Sequence, residues 1–199
     1  MSTPKTLMEM AGADLKPASL AQSALVIIDA QNEYLDGKLA LPGIRPALDV
    51  LVRLLAKARE AGAPIIHVAH SGRPGGLFDR SGHGGAIIEA VSPKAGERVV
   101  EKTLPNAFAQ TSLDADLKAI GRTSLILAGF MTHMCVSSTA RAALDLGYRV
   151  TVAGDAAATR DLPDPFGGVI SAEALHRAAL AELADRFAVV ATVDEIPSV

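Results

Sequence analysis

The stretch Ser124-Leu-Ile-Leu-Ala-Gly-Phe-Met-Thr-His-Met-Cys-Val136 joins two patterns. Its first half is a short, continuous apolar run, as expected of a strand buried on both faces. Thr132 is a candidate N-cap for a helix that runs to Leu146 and is closed by Gly147. A buried strand that feeds a helix is the unit of a doubly wound α/β domain.

The same grammar recurs outward along the chain. Short apolar runs at 24–28, 64–69, 98–101, 149–153 and 187–192 read as further strands. Ile44, Leu48, Leu51, Leu55 and Ala58 recur at helical spacing, and Gly62 closes that helix. Ser112 is a candidate cap for a helix bearing Leu113, Leu117 and Ile120 and closed by Gly121. Ser171 is the candidate cap of the last helix, to about Asp185. The order helix, glycine, strand occurs three times.

Two segments break the rhythm. Residues 71–97 are rich in Gly, Pro and charge, and a connection this long reads as a lid or an interface. Residues 160–170 form a second irregular stretch. No linker divides the chain, so residues 1–199 read as one domain with an N-terminal arm over 1–22.

Composition narrows the class. The 199 residues contain one Cys, so no intrachain disulfide can form. Apolar residues make up 49% and the chain has 17 Gly besides; soluble domains average roughly 45–50% with glycine included. The surplus argues for a deep core and for a homo-oligomer, a dimer or higher. No apolar run approaches the ~18–20 residues of a membrane span. The net charge is −3 and lacks a basic footprint for nucleic acid or membrane. Residues 1–20 carry charge and no apolar h-region, so the expectation is a cytoplasmic protein.

Several familiar chemistries lack their signatures. There is no G-x-G-x-x-G, no phosphate-binding P-loop, no G-x-S-x-G and no H-E-x-x-H. His67 and His70 are three apart on a strand and point to opposite faces, a poor arrangement for chelation. Neither a metal nor a cofactor is expected.

Three polar residues sit where chemistry is expected. Cys135, at N3 of a helix capped by Thr132, would lie among free N–H groups that lower a thiol pKa and hold an oxyanion. The alternative is a buried structural Cys. Asp29 ends the first strand, where α/β domains place ligands, and burial would raise its pKa toward that of a proton acceptor. The alternative is an Asp that caps the following loop. Lys102 ends the third strand and would favour the charged forms of both. The three strand ends are able to face one crevice.

With these residues in place, the sequence resembles the isochorismatase-like cysteine hydrolases. The likeness runs from about residue 24 to 190. It rests on Asp29-Ala-Gln-Asn-Glu-Tyr34, on Lys102 followed by Asn106-Ala-Phe108 and Thr111-Ser-Leu113, on Gly129-Phe-Met-Thr-His-Met-Cys-Val136 with Thr139, Ala143 and Gly147-Tyr148, and on Asp155-Ala156. The resemblance implies a three-layer α/β/α Rossmann-like domain with a mostly parallel six-stranded sheet. It implies a triad in which Cys135 is the nucleophile, Asp29 the general base and later acid, and Lys102 the group that holds Asp29 and stabilises the thiolate. It implies a cis peptide between Phe130 and Met131 and an oxyanion hole from the Met131 and Cys135 N–H groups.

Gln31, Tyr34, His70, Phe108 and Phe130 are the candidate substrate contacts. His83 is a candidate lid residue, His133 a surface residue, and Asp155 a turn cap. Arg73 and Arg80 are candidates to recognise a carboxylate, with a solvated arginine as the alternative. The chain departs from the nicotinamidase branch, whose Asp-x-His metal motif is missing, and from the carbamoyl-amide branch, which has an Arg soon after the Lys. The expected function is cysteine-dependent hydrolysis of a small amide or acyl substrate through a thioester. One alternative is isochorismatase-type hydrolysis of a vinyl ether. Another is a non-catalytic binding or assembly protein on the same fold.

Overall fold

The computed structural model describes residues 3–199. Six strands form the central sheet: β1 (Ser23–Ile28), β2 (Ile65–His70), β3 (Arg98–Lys102), β4 (Ser124–Phe130), β5 (Arg149–Ala158) and β8 (Val189–Ala191). Their order is β3-β2-β1-β4-β5-β8, and every neighbouring pair is parallel. The connection from β3 crosses β2 and β1 to reach β4. The order therefore reverses beside β1, and a crevice opens at the carboxyl ends of β1 and β4.

Helices cover both faces, which is why the strands read as continuous apolar runs. Besides two short helices, α1 (Leu7–Met10) and α2 (Asn32–Leu35), the long α3 (Ile44–Glu60) packs on one face. Its Leu48, Leu51, Leu54 and Leu55 meet Leu25, Ile27, Ile126 and Ala153 of the sheet. Leu51 is fully buried, so Leu51→Ala would cost ~2–5 kcal/mol. The other face holds α4 (Leu113–Ile120), α5 (Ser137–Asp145) and α6 (Ala172–Arg186). There Leu113, Leu117, Ala140, Ala143 and Leu183 pack on Val26, Ile28, Val68 and Leu127.

Two of the expected caps are not used. Ser112 has helical backbone, and its hydroxyl donates to the Asp116 carboxylate instead of capping α4. Thr132 does not cap the helix after β4. Met131 occupies the cap position, and the chain winds through a π-type turn over Thr132–Val136 before α5 begins. In that turn the Val136 N–H reaches back five residues to Met131 O at 3.2 Å. Ser171 does cap α6, accepting from Ala174 N–H. Gly121 closes α4 with positive φ, as its place in the pattern required.

The irregular segments are folded against the domain. The 71–97 segment returns over the carboxyl end of β1, where Ile88 N–H donates to Ala30 O and Asn32 N–H to Ala86 O. Its far end is held by Glu97, which accepts from Arg59 Nε and Nη2 at 2.7 and 3.0 Å and pairs with His67 Nε2 at 2.8 Å. Residues 160–170 contain a small antiparallel hairpin of β6 (Leu162–Pro163) and β7 (Val169–Ile170). The described part of the arm docks on α6 and β5, through Leu7 N–H to Asp185 and Ala18 N–H to Thr151 Oγ1. Residues 1 and 2 lie outside the described residues. Among the described residues no helix is long and apolar enough to cross a membrane.

Candidate active site

Three elements deliver the central side chains. β1 ends at Ile28, and Asp29 follows in a left-handed backbone conformation with φ of 49°. Few non-glycine residues adopt that conformation, although Asp is among the more tolerant. Two backbone bonds hold it, Asp29 N–H to Val68 O and Gln31 N–H to Asp29 O, each 2.8 Å. β4 passes close by because residue 129 is glycine. A Cβ there would lie 2.0 Å from Ile28 O, and the backbone φ is +115°. The Phe130–Met131 peptide that follows is cis. β3 ends at Lys102, whose carbonyl accepts from Ser71 N–H.

The three side chains converge. Lys102 Nζ lies 2.7 Å from Asp29 Oδ2 and 3.4 Å from Cys135 Sγ. The Asp29 and Lys102 side chains are both 0% exposed, and Cys135 is buried. Asp29 Oδ2 faces the Lys102 ammonium, whereas Oδ1 lies farther from it and keeps lone pairs able to take a proton. Burial pushes the Asp29 carboxyl above the usual range, and Lys102 opposes that rise. Burial also pushes the Cys135 thiol up, to about 12, and the Asp29 charge adds to it while Lys102 opposes it. This corrects the expectation of a lowered thiol pKa. Cys135 stands at the fourth position after the Met131 cap, one place beyond N3, and desolvation there outweighs what the helix end offers.

Two histidines grip the turn that carries Cys135. Thr132, fully buried, hydrogen-bonds through its hydroxyl with His176 Nδ1 at 2.8 Å. His133 Nδ1 pairs with Thr159 Oγ1 at the end of β5, so His133 is half-buried rather than a surface residue.

The sequence of residues 23–195 matches the family model for the isochorismatase domain. The chain belongs to the isochorismatase family. It is a hydrolase of that family, with the family's fold. The crystal structure of an isochorismatase from Pseudomonas putida KT2440 superposes with a TM-score of 0.94 at 46% identity, covering 98% of this chain and 100% of that one. A secreted isochorismatase effector of Verticillium dahliae is 42% identical over 188 residues, 94% of this chain and 96% of that protein. A maleamate amidohydrolase of Pseudomonas putida is 31% identical over 175 residues, 74% of this chain and 82% of that protein.

Within this isochorismatase-family site, the candidate contact residues separate. Tyr34 and Phe130 form a buried aromatic pair, 6.1 Å between centroids. Gln31 is fully buried, and its amide is spent on backbone: Nε2 donates to His70 O at 2.9 Å and Gly85 O at 2.8 Å, and Oε1 accepts from His70 N–H at 2.8 Å. It clamps β2 and the 71–97 segment to β1. Phe108 stacks on Tyr148 at 5.7 Å, at the edge of the α4–α5 core. His70 stands beside these three side chains, with Nδ1 3.3 Å from Lys102 Nζ. Asp155 accepts from Val193 N–H, His83 pairs with Asp36, and Arg80 is held by Glu101 and the Gly85 carbonyl.

Sequence reasoning missed Phe78, Thr132 as a buried partner, and His176. Phe78 comes from the 71–97 segment and packs edge-on against Tyr34 and His70, at 4.9 and 5.3 Å. Its signal was a lone aromatic in a Gly-rich segment, which reads as loop. His176 sits on a helix more than forty residues beyond Thr132, and no local pattern links them. Among the described residues no cluster of three or more His, Cys, Asp and Glu is arranged to hold a metal ion.

Proposed function

We propose that this protein is a cysteine hydrolase that cleaves the C–N bond of a small amide through a thioester on Cys135. The observation that carries this reading is the buried Lys102 ammonium, set between Asp29 Oδ2 at 2.7 Å and Cys135 Sγ at 3.4 Å. The similarity to an amidohydrolase supports the choice of an amide over other acyl substrates.

The chemistry follows from the charges. The thiol holds its proton at rest, because burial disfavours the thiolate. As sulfur attacks the substrate carbonyl, the proton passes to Asp29, whose own burial makes it a better acceptor than an exposed aspartate. Lys102 stabilises the charge on both groups while it moves. The N–H groups of Met131 and Cys135 receive the carbonyl oxygen as it becomes an oxyanion. Protonated Asp29 then gives its proton to the leaving amine. Water, deprotonated by Asp29, then attacks the thioester; the C–S bond breaks, Asp29 returns the proton to the Cys135 sulfur, and the acid leaves. The active form is a homo-oligomer, a reading supported by the apolar surplus of the sequence.

The test is ammonia release from a panel of small amides and carbamoyl compounds, with isochorismate followed in parallel. Turnover that vanishes in folded Cys135→Ala is the expected result. A folded, fully active Cys135→Ala protein sinks the proposal. Turnover of isochorismate that depends on Asp29 and survives Cys135→Ala would favour the vinyl-ether chemistry instead.

A further inference from the structure

The hairpin of residues 160–170 is fixed at its base and at its tip. Asp161 Oδ1 accepts from Ala172 N–H at 2.6 Å, and β6 pairs with β7. The tip is closed by Asp164 N–H to Gly168 O at 3.1 Å, Gly167 N–H to Asp164 O at 3.0 Å and Phe166 N–H to the Asp164 carboxylate at 2.9 Å. Gly167 and Gly168 allow this closure, with φ of 110° and 91°. The hairpin holds Phe166 98% exposed and Val169 72% exposed. A packed phenylalanine takes on the order of 150–250 Å² out of water, and here almost none of it is taken.

The strand and helix that the hairpin joins, β5 and α6, border a surface cavity of about 280 Å³. Pro42, Ala157, Ala158 and Ala172 form its apolar walls, and Thr159 and His176 its polar ones. About 150 Å³ is enough to admit a benzene ring. Thr159 and Ala172 line the cavity and bracket the hairpin, so Phe166 and the cavity share one face of the molecule. On α6, Ala174, Ala178 and Ala181 are exposed at helical spacing, with no long side chain to hold another surface away.

The charges of this face match when it meets itself. Asp161 and Asp164 belong to the hairpin that carries Phe166. Arg45 lies two residues beyond Gly43 of the cavity wall, and Arg177 follows His176. Glu173 is the anion at the cavity, and Arg160 the cation at the base of the hairpin. None of these six makes an ion pair among the described residues.

We infer that this face docks on a second copy of the chain about a two-fold axis, each Phe166 entering its partner's cavity. This docking rests on the reading of the active form as a homo-oligomer. An axis lying in the face, midway between Phe166 and the cavity, carries one onto the other, so both contacts form at once and the assembly closes. The same axis sets the acidic hairpin against Arg45 and Arg177. The partner's Phe166 then rests on Thr159 and His176. Those two residues hold the turn that carries Cys135, through His133 and Thr132. Each site is thus backed from across the interface.

Sedimentation velocity of the full chain, with iodoacetamide labelling of Cys135 at the same concentrations, tests this. Wild type should sediment as a dimer or a multiple of one. Phe166→Ser should weaken the association by about a hundredfold or more, because the lost anchor is counted twice across the axis. Phe166 packs on nothing within its own protomer, so that variant stays folded. Ala172→Phe fills the cavity from within and should have the same effect. Both variants should label faster at Cys135, since the turn has lost its backing.

A monomeric wild type leaves the cavity to a small ligand and overturns both the docking and the homo-oligomer reading. An oligomer that Phe166→Ser leaves intact overturns the docking alone. Dissociation by Phe166→Ser with Ala172→Phe still assembled puts the partner elsewhere than in the cavity and overturns it too. Variants that dissociate yet label at the wild-type rate overturn the link to Cys135. No readout here needs turnover, so each outcome is distinct from success or failure of the cysteine-hydrolase reading.

Discussion

Lys102 Nζ and Asp29 Oδ2 lie 2.7 Å apart with neither side chain reaching solvent. Two charges so placed have lost their hydration and depend on each other. The pair bridges the ends of β3 and β1 across the intervening β2, and its two charges act on Cys135 in opposite directions beside the larger effect of burial.

Removing one member should therefore be costly. Lys102→Met leaves Asp29 buried without its counter-ion, and the expected loss is about 3–5 kcal/mol at neutral pH. Without Lys102 the Asp29 pKa rises further, so its protonated form is favoured in the folded state. The loss should thus be smaller at pH 5 than at pH 8. Urea unfolding at the two pH values checks this, and a loss independent of pH counts against it.

Asp29→Asn should separate reactivity from turnover. The Asp29 charge helps raise the Cys135 pKa, so its removal lowers that pKa while Lys102 stays. Iodoacetamide should label the variant faster than wild type at pH 7, and amide turnover should nonetheless be lost with the base. In wild type, kcat/KM should fall as pH drops through the Asp29 pKa, at a pH above the usual aspartate range. Slower labelling of Asp29→Asn would contradict the assignment.

Glu97 should govern part of the acid stability. Burial alone would raise its pKa, but Arg59, the Lys94 N–H and His67 outweigh burial and hold it at about 2. A lowered carboxylate pKa adds stability that is present above the unfolded value of about 4.3 and is lost as pH falls toward 2. Glu97→Gln should remove on the order of 2–3 kcal/mol at pH 7 and little at pH 2.5. Chemical unfolding at both pH values gives the comparison.

His176→Ala should slow catalysis without weakening substrate binding. His176 is hydrogen-bonded to Thr132, three residues before Cys135, which makes it a positioning residue for the turn after β4. The expected result is a lower kcat at similar KM, with partial rescue by His176→Asn, which restores a hydrogen-bonding side chain. A changed KM at constant kcat would instead place His176 in contact with substrate.

Much of the fold was legible locally. Runs such as Leu25-Val-Ile-Ile28 and Leu125-Ile-Leu127 are apolar on both faces because helices cover both faces. Gly121 marks a helix end because it takes a positive φ there. Hydroxyl caps were less legible, since Ser112 and Thr132 have competing partners, Asp116 and His176, one on the same helix and one far along the chain. The extension of β5 to Ala158 was also hidden, because Ala153 to Ala158 carries no β-branched signal.

Of the site, the residue types and their strand-end positions were readable in the linear order of residues. Asp29, Lys102 and Cys135 each follow a hydrophobic run, and the sheet's carboxyl edge is where such ends gather. Distances and protonation were not readable, because they depend on what surrounds a group in space. Burial, felt only once the layers close, turns the thiol pKa upward although its place on the chain suggested the opposite. Only the closed structure turns Gln31 from a pocket candidate into a backbone clamp and brings His176 to Thr132. The amino-acid sequence by itself determined the strands, the helices and the family of this hydrolase, since those follow from periodic patterns and short motifs. The tertiary structure decided which polar groups meet and which lose water, because contacts between residues far apart in the chain set both.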